Sequence, residues 1–265
     1  MHMNSRLVIL TGASRGLGAA LAEQLLVPGT VMLCLSRGRH PTLAARATAA
    51  QVPLEEWPRD LADSVTVADE VEAWLRTFDA QRFDEAVLIN NAGVVSPVGP
   101  SDGATSAALA SALRVGLEAT ILLTAAFLRA TGGWRADRRV LNISSGLGRR
   151  AMAGSAVYGA AKAGMDHYSR AVALDEAHRE ACRAERADDR SRAARIVSLA
   201  PGVIDTDMQA QLRAADSAGF PNKARFEQQH AQGLLASADD AAKRILAYLA
   251  RDDFGNQPVA DIRLS

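Results

Sequence analysis

Cysteine is scarce in this chain: Cys34 and Cys182 lie far apart, and no metal-ligand cluster accompanies them. This weighs against a disulfide framework or a metal site. Cys34, inside an apolar run, reads as a buried free thiol, which suits a cytoplasmic protein. Net charge is also missing, because thirty Lys plus Arg balance thirty Asp plus Glu. No global field draws the chain to nucleic acid or to an anionic membrane, so local patches are the remaining route and a small-molecule partner is expected. The N-terminal MHMNSRLVIL lacks an apolar segment followed by a cleavage site. No later run is read as approaching the roughly 20 apolar residues of a membrane span. A soluble, unprocessed protein is the expectation. Repeats and low-complexity linkers are absent as well, so residues 1–265 are read as one domain with a substantial core.

What the chain does contain is an alternation of short β-rich runs and longer helical patterns. RLVILT precedes GLGAALAEQLL; VMLCLS precedes a helix after Pro41; a short piece near Val52 to Trp57 precedes SVTVADEVEAWLRTF. AVLIN leads into a long helix from about Thr105 to Ala130, RVLNIS into one from about Ser155 to Cys182, and RIVSLA is followed at a distance by ADDAAKRILAYLA and PVADI. Repeated strand, helix, strand implies right-handed parallel crossovers and an α/β fold: a doubly wound parallel sheet with helices on both faces. VLIN, RVLNIS and RIVSLA lack polar alternation, as strands covered on both faces do. The charged stretch from Glu176 to Arg192 is read as a solvated helix end and loop.

TGASRGLG, Thr11 to Gly18, begins where the first strand ends and opens a helix. Its glycines permit a tight turn and close backbone approach, leaving helix N-terminal N–H groups free for a pyrophosphate. Gly12, Ser14, Arg15, Gly16, Leu17 and Gly18 are the expected contacts. The second strand ends CLSRGR, without the acidic residue that would accept hydrogen bonds from a ribose 2′-hydroxyl. Ser36 and Arg37, with Arg15, offer donors and positive charge instead, which favours NADP over NAD.

Tyr158 and Lys162, in YGAAK, are one helical turn apart and share a face. Ser145, at the end of the fifth strand, lies where parallel sheets place reacting groups. A tyrosine near pKa 10 is a poor acid or base at neutral pH unless an adjacent ammonium stabilises its phenolate, and Lys162 supplies one. Ser145 is positioned to hydrogen-bond a substrate oxygen.

With these motifs in order, together with Asp60 in RDLAD, NNAG ending at Gly93, and PGVIDT from Pro201 to Thr206, the sequence resembles the short-chain dehydrogenase/reductase family over nearly its whole length. The resemblance implies that Asp60 contacts adenine beside Leu61 and that Asn91, Ala92 and Gly93 border the cofactor. It also implies that Ile204 and Thr206 flank the carboxamide, that Lys162 holds the nicotinamide ribose, and that Pro201, Gly202 and Tyr158 contact the cofactor. LINNAGVVSPV, APGVIDTDMQ and the closing ADIR are similar to the sepiapterin reductase branch, which includes bacterial benzil reductases. By that likeness Asp261 anchors the substrate, and segments near residues 94–104, 146–155 and 203–235 line its mouth. Leu147, Met152, Val203 and Met208 are the candidate apolar wall, suited to an aromatic ketone or dicarbonyl. The implied reaction is hydride transfer from NADPH to a carbonyl, with Tyr158 as proton donor; a binding protein that kept the fold and lost turnover is the competing class.

Gly116, in LRVGLEAT, is a glycine inside a predicted helix, where it costs about 1 kcal/mol relative to alanine. Against the family pattern it stands where a catalytic asparagine is usual. The resemblance gives that asparagine two roles, fixing a bend in the helix and offering a main-chain carbonyl to a proton-relaying water. Glycine keeps the carbonyl and tolerates the bend. A slower relay is therefore expected, with Gly116→Asn raising turnover. EATILLTAAFL in the same helix is apolar nearly all round, so a second face must be covered, by a twin in a homodimer or homotetramer or by a neighbouring helix of the same chain.

Overall fold

The computed structural model describes residues 5–95, 97–184 and 192–264. Ser96, Ser265, residues 1–4 and residues 185–191 of the charged stretch thus lie outside the described residues. Seven strands form one parallel sheet in the order β3-β2-β1-β4-β5-β6-β7. They are β1 (Arg6–Thr11), β2 (Thr30–Ser36), β3 (Leu54–Pro58), β4 (Glu85–Asn90), β5 (Asp137–Ile143), β6 (Arg195–Ala200) and β7 (Val259–Asp261). Successive side chains point to opposite faces of a strand. Accordingly Leu7 and Ile9 of β1 join one core cluster and Val8 and Leu10 the other. Continuous burial along β1, β4, β5 and β6 is why their sequences carry no polar alternation.

One core is closed by α1 (Gly16–Leu25), α2 (Leu43–Ala49) and α9 (Ala238–Leu249), through Leu21, Leu43 and Ile245. The opposite core is closed by α3 (Ser64–Leu75) and α5 (Ala119–Thr131). α6 (Ala156–Ala184) follows β5, and α7 (Asp207–Ala214) and α8 (Lys223–Ala231) fill the long connection after β6. Sequence patterning does not mark α7 or α8 as helices.

The long helix read from Thr105 onward is three pieces. α4 (Ser106–Leu113) is capped by Thr105, whose hydroxyl accepts from the Ala108 N–H at 3.2 Å. A π turn, Arg114–Glu118, follows, and α5 completes the run. A π turn inserts one extra residue into the helical ladder and bends it. This supplies the bend that the family pattern implies, with buried Gly116 at its centre. The run Ser106–Thr131 also corrects the membrane expectation, because it is long and apolar enough by length and composition to span a bilayer. The apolar content has a use inside the fold: Leu123, Ala126 and Phe127 pack with Val67, Val71 and Leu75 of α3. A neighbouring helix of the same chain therefore covers that face.

Strand order reverses at β1, which has β2 on one side and β4 on the other. In open parallel sheets the crevice beyond the carboxyl ends at such a switch point is where ligands bind.

Candidate active site

The first wall of that crevice is the turn after β1. Gly12 has φ +73°, and a β-carbon at Gly18 would lie 1.9 Å from the Gly12 carbonyl oxygen, so both positions demand glycine. The loop after β4 holds the turn in place. Thr11 Oγ1 accepts from the N–H groups of Asn91 and Ala92 at 3.0 and 2.9 Å, and Asn91 Nδ2 donates back to the Thr11 carbonyl at 3.0 Å. Arg15 stands at the N-cap of α1 without a side-chain hydrogen bond to the first turn, whose N–H groups have no intrahelical acceptors. The Arg15 guanidinium meets Asp207 of α7 at 3.1 Å.

A cavity of about 1020 Å³ opens beyond this turn. All the expected contacts in the glycine-rich turn lie on its wall, from Gly12 through Ser14, Arg15, Gly16 and Leu17 to Gly18. So do Ser36 and Arg37 after β2, Asp60 and Leu61 after β3, and Asn91, Ala92 and Gly93 after β4. Pro201, Gly202, Ile204 and Thr206 after β6 complete that side. Asp60 is partly engaged, since its Oδ1 accepts from the Ala62 N–H at 2.9 Å. These residues fit a dinucleotide: the helix N-terminus is open, no acid ends β2, and a β-carbon at Gly93 would meet nothing closer than 4.0 Å, leaving room beside Lys162.

Ser145, Tyr158 and Lys162 converge on the far part of the same cavity. Ser145 leaves β5 in extended conformation and accepts the Leu147 N–H at 3.2 Å, which starts the short turn Gly146–Gly148. Its hydroxyl shares the cavity wall with the Tyr158 phenol and acts on it electrostatically. Burial raises the Tyr158 pKa above its ordinary value, and Ser145 pulls it the other way. Lys162 donates to the Ile143 carbonyl at 2.7 Å, and its ammonium lies 5.8 Å from the centroid of the Tyr158 ring. Burial lowers the Lys162 pKa to about 8, against the pull of Asp166, which raises it. At pH 7 the phenol is thus a neutral acid and the lysine is mostly an ammonium.

The structure sorts the remaining candidates. Leu147, Met152, Val203 and Met208 all line the cavity. Gly116 does not; it backs the site from behind, where a β-carbon would lie 3.2 Å from that of Ala161. Asp261 is not on the wall either. Its carboxylate accepts hydrogen bonds from the Arg263 guanidinium at 2.8 and 2.5 Å and from the Arg263 N–H at 3.1 Å, and lies 3.9 Å from Arg149, so Arg263 is the group that reaches the cavity.

Arg150, Arg225, Phe226 and Gln229 fall in segments the sequence places at the mouth without singling them out, and Arg263 lies outside those segments. Arg225, Phe226 and Gln229 of α8 close the mouth, while Arg150 and Arg263 both approach Gly146, within 3.7 and 3.8 Å of where its β-carbon would be. Beneath the site runs a buried polar ladder. Asn90 Nδ2 donates to Asn142 Oδ1 at 2.9 Å, Asn142 Nδ2 to Ser169 Oγ at 3.0 Å, and Ser169 Oγ to the Met165 carbonyl at 2.8 Å. It pins β4, β5 and α6 in register. A single polar residue in an apolar strand is its only sequence trace.

The model of the short chain dehydrogenase family matches residues 6–217. A benzil reductase ((S)-benzoin forming) from Bacillus cereus is 33% identical over 249 residues, covering 94% of this chain and 96% of that protein. Sepiapterin reductase from Rattus norvegicus is 29% identical, covering 93% of this chain and 92% of that protein. The crystal structure of a short-chain dehydrogenase/reductase from Burkholderia vietnamiensis is 37% identical, covers 97% of both chains and superposes with a TM-score of 0.63. With the parallel sheet, the open helix N-terminus and the Ser145, Tyr158 and Lys162 cluster in place, the chain belongs to the short-chain dehydrogenase family of NAD(P)-dependent oxidoreductases.

Proposed function

We propose that this protein is a cytoplasmic NADPH-dependent reductase of a ketone or dicarbonyl carried by a small aromatic or heteroaromatic molecule. One observation carries the reading: Ser145, Tyr158 and Lys162 meet in the cavity that the glycine-rich turn opens. The bound nicotinamide supplies the hydride. Ser145 donates a hydrogen bond to the carbonyl oxygen, and Tyr158, kept neutral by burial, delivers the proton to that oxygen as charge develops on it. Lys162, fixed to the Ile143 carbonyl, stabilises the phenolate that remains. Arg37 and Ser36, with no carboxylate at the end of β2, support a 2′-phosphate on the cofactor. The apolar wall of Leu147, Met152, Val203, Met208 and Phe226 supports an aromatic substrate, as do the likenesses to benzil and sepiapterin reductases. Two free thiols, Cys34 buried and Cys182 exposed, are in keeping with a reducing compartment. Association into a homodimer or homotetramer is part of the same reading, with Leu174 of α6 left 72% exposed.

The test is NADPH consumption across a carbonyl panel that includes benzil and sepiapterin. Tyr158→Phe is expected to lower turnover by about 100-fold or more while leaving NADPH binding close to that of the parent. Unchanged turnover in that variant overturns the role of Tyr158. NADPH binding without turnover of any carbonyl favours a binding protein instead, an outcome for which the missing asparagine at Gly116 gives a specific reason.

A further inference from the structure

Asp166 lies one helical turn beyond Lys162, and both are almost fully buried, 2% and 4% exposed. A buried carboxylate is costly unless it is paired and hydrogen-bonded. Here the pairing is complete. Asp166 Oδ1 accepts from the hydroxyls of Ser144 and Ser198, each at 2.6 Å, and Oδ2 accepts from Arg149 Nε at 3.1 Å. Three segments are thereby gathered on one side chain: the end of β5 immediately before Ser145, the middle of β6, and the turn leading into α6. Arg149 extends the chain of contacts, donating to the Ala260 carbonyl at 2.8 Å beside the Asp261 and Arg263 pair.

We propose that Asp166 is a positioning residue, holding the strand end that carries Ser145 and supplying the buried negative charge that faces Lys162. This rests on the reading of Lys162 as the ammonium that works with Tyr158. Other groups around the lysine do not substitute for it. β5 offers the Ile143 carbonyl, the loop after β4 offers neutral Gly93, and Tyr158 is an uncharged phenol. On the π turn, Glu118 accepts the Ser64 hydroxyl and Arg114 is exposed. Asp261 is held by Arg263 and stands behind Arg149. Asp166 is also the acidic group that holds the lysine's pKa up against burial.

The chain contains three lysines, Lys162, Lys223 and Lys243, so isotope-labelled lysine gives an NMR spectrum in which each Nζ can be titrated separately, with Lys223→Arg and Lys243→Arg for assignment. In the parent, Lys162 is expected to titrate near 8. In Asp166→Asn it should titrate lower by about one pH unit or more, since a facing charge moves a neighbour by that amount. Arg149→Ala, which strips the cation from Asp166, should move it the opposite way. Turnover should follow, with the loss of activity at rising pH displaced toward acid in Asp166→Asn. An unchanged Lys162 titration in Asp166→Asn overturns the proposal. If that variant does not fold, Arg149→Ala decides, and no rise there overturns it equally. A parent enzyme that reduces no carbonyl defeats the functional reading, whereas the Nζ signal tests the Asp166 charge by itself.

Discussion

Gly116 shows how one missing side chain is used in packing. The family pattern makes Gly116→Asn a restoration with higher turnover, and the packing sets a cost against it. A β-carbon there would stand 3.2 Å from that of Ala161, tighter than an ordinary carbon contact of about 3.5–4.0 Å. Ala161 is buried and immediately precedes Lys162, so whatever moves α6 to make room also moves the lysine. Gly116→Asn is expected to lower turnover and to destabilise the fold by about 1–3 kcal/mol, the range of core overpacking. Ala161→Gly in the same chain should recover much of the turnover. Steady-state rates and thermal melts of the single and double variants check this, and a single variant faster than the parent would show that the helices yield freely. At this scale the sequence reveals residues that repeat a spacing or motif. Ser145, Tyr158 and Lys162 are legible because strand end and helical turn fix their geometry. Asp166 is not, because an aspartate inside a charged helix reads as surface until β5 and β6 are known to lie over it. Asp261 is legible in place and not in role, because its pairing with Arg263 exists only once the chain end folds back.

Elements with a clear period were the legible ones. The apolar strands and α9, with its buried row of Ala241, Ala242, Ile245 and Leu249, announce themselves through burial. α7 buries only Leu212 and α8 buries no residue, because both lie over a cavity instead of a core, so no period marks them. The π turn is invisible for a related reason: one extra residue in a helical run shifts the hydrogen-bond ladder without changing the composition. The turn Gly146–Gly148 matters most to the chemistry at this scale, and its contact with α6 is made by backbone. A β-carbon at Gly148 would lie 2.9 Å from both the carbonyl carbon and oxygen of Lys162. Neither atom is free to swing aside, so Gly148→Ala should lift the turn, and Ser145 with it, off α6. A displacement of this kind in a catalytic array costs up to about 100-fold in rate. The expected result is a kcat lower by about 10- to 100-fold with NADPH affinity near that of the parent, since the glycine-rich turn is untouched. Gly103→Ala, where a β-carbon would meet open space, is the matched control and should behave as the parent does. Rate and cofactor titration together check it, and an unchanged kcat in Gly148→Ala would mean that the turn does not position Ser145.

Across the whole molecule, the crevice is assembled from the carboxyl ends of β1 to β6, so a ligand that fills it bridges segments distant in sequence. Such a ligand binds the folded chain and not the unfolded one. At a free concentration 100 times its Kd it adds about 2.7 kcal/mol of stability. For a chain of this length each kcal/mol raises the melting temperature by about 2–4 °C, so saturating NADPH is expected to raise it by about 5–10 °C. NADH at the same concentration should give the smaller rise, because the end of β2 presents Ser36 and Arg37 without a carboxylate to accept a ribose 2′-hydroxyl. Reversing the local charge separates this effect from general cofactor binding. Arg37→Glu should weaken NADPH by about tenfold or more, cutting its shift by about 3–5 °C, and should leave the NADH shift equal or larger. Thermal denaturation of parent and variant with each cofactor measures both quantities. Equal shifts from the two cofactors in the parent would remove Arg37 as the source of preference, because a contact with the 2′-phosphate has nothing to act on in NADH.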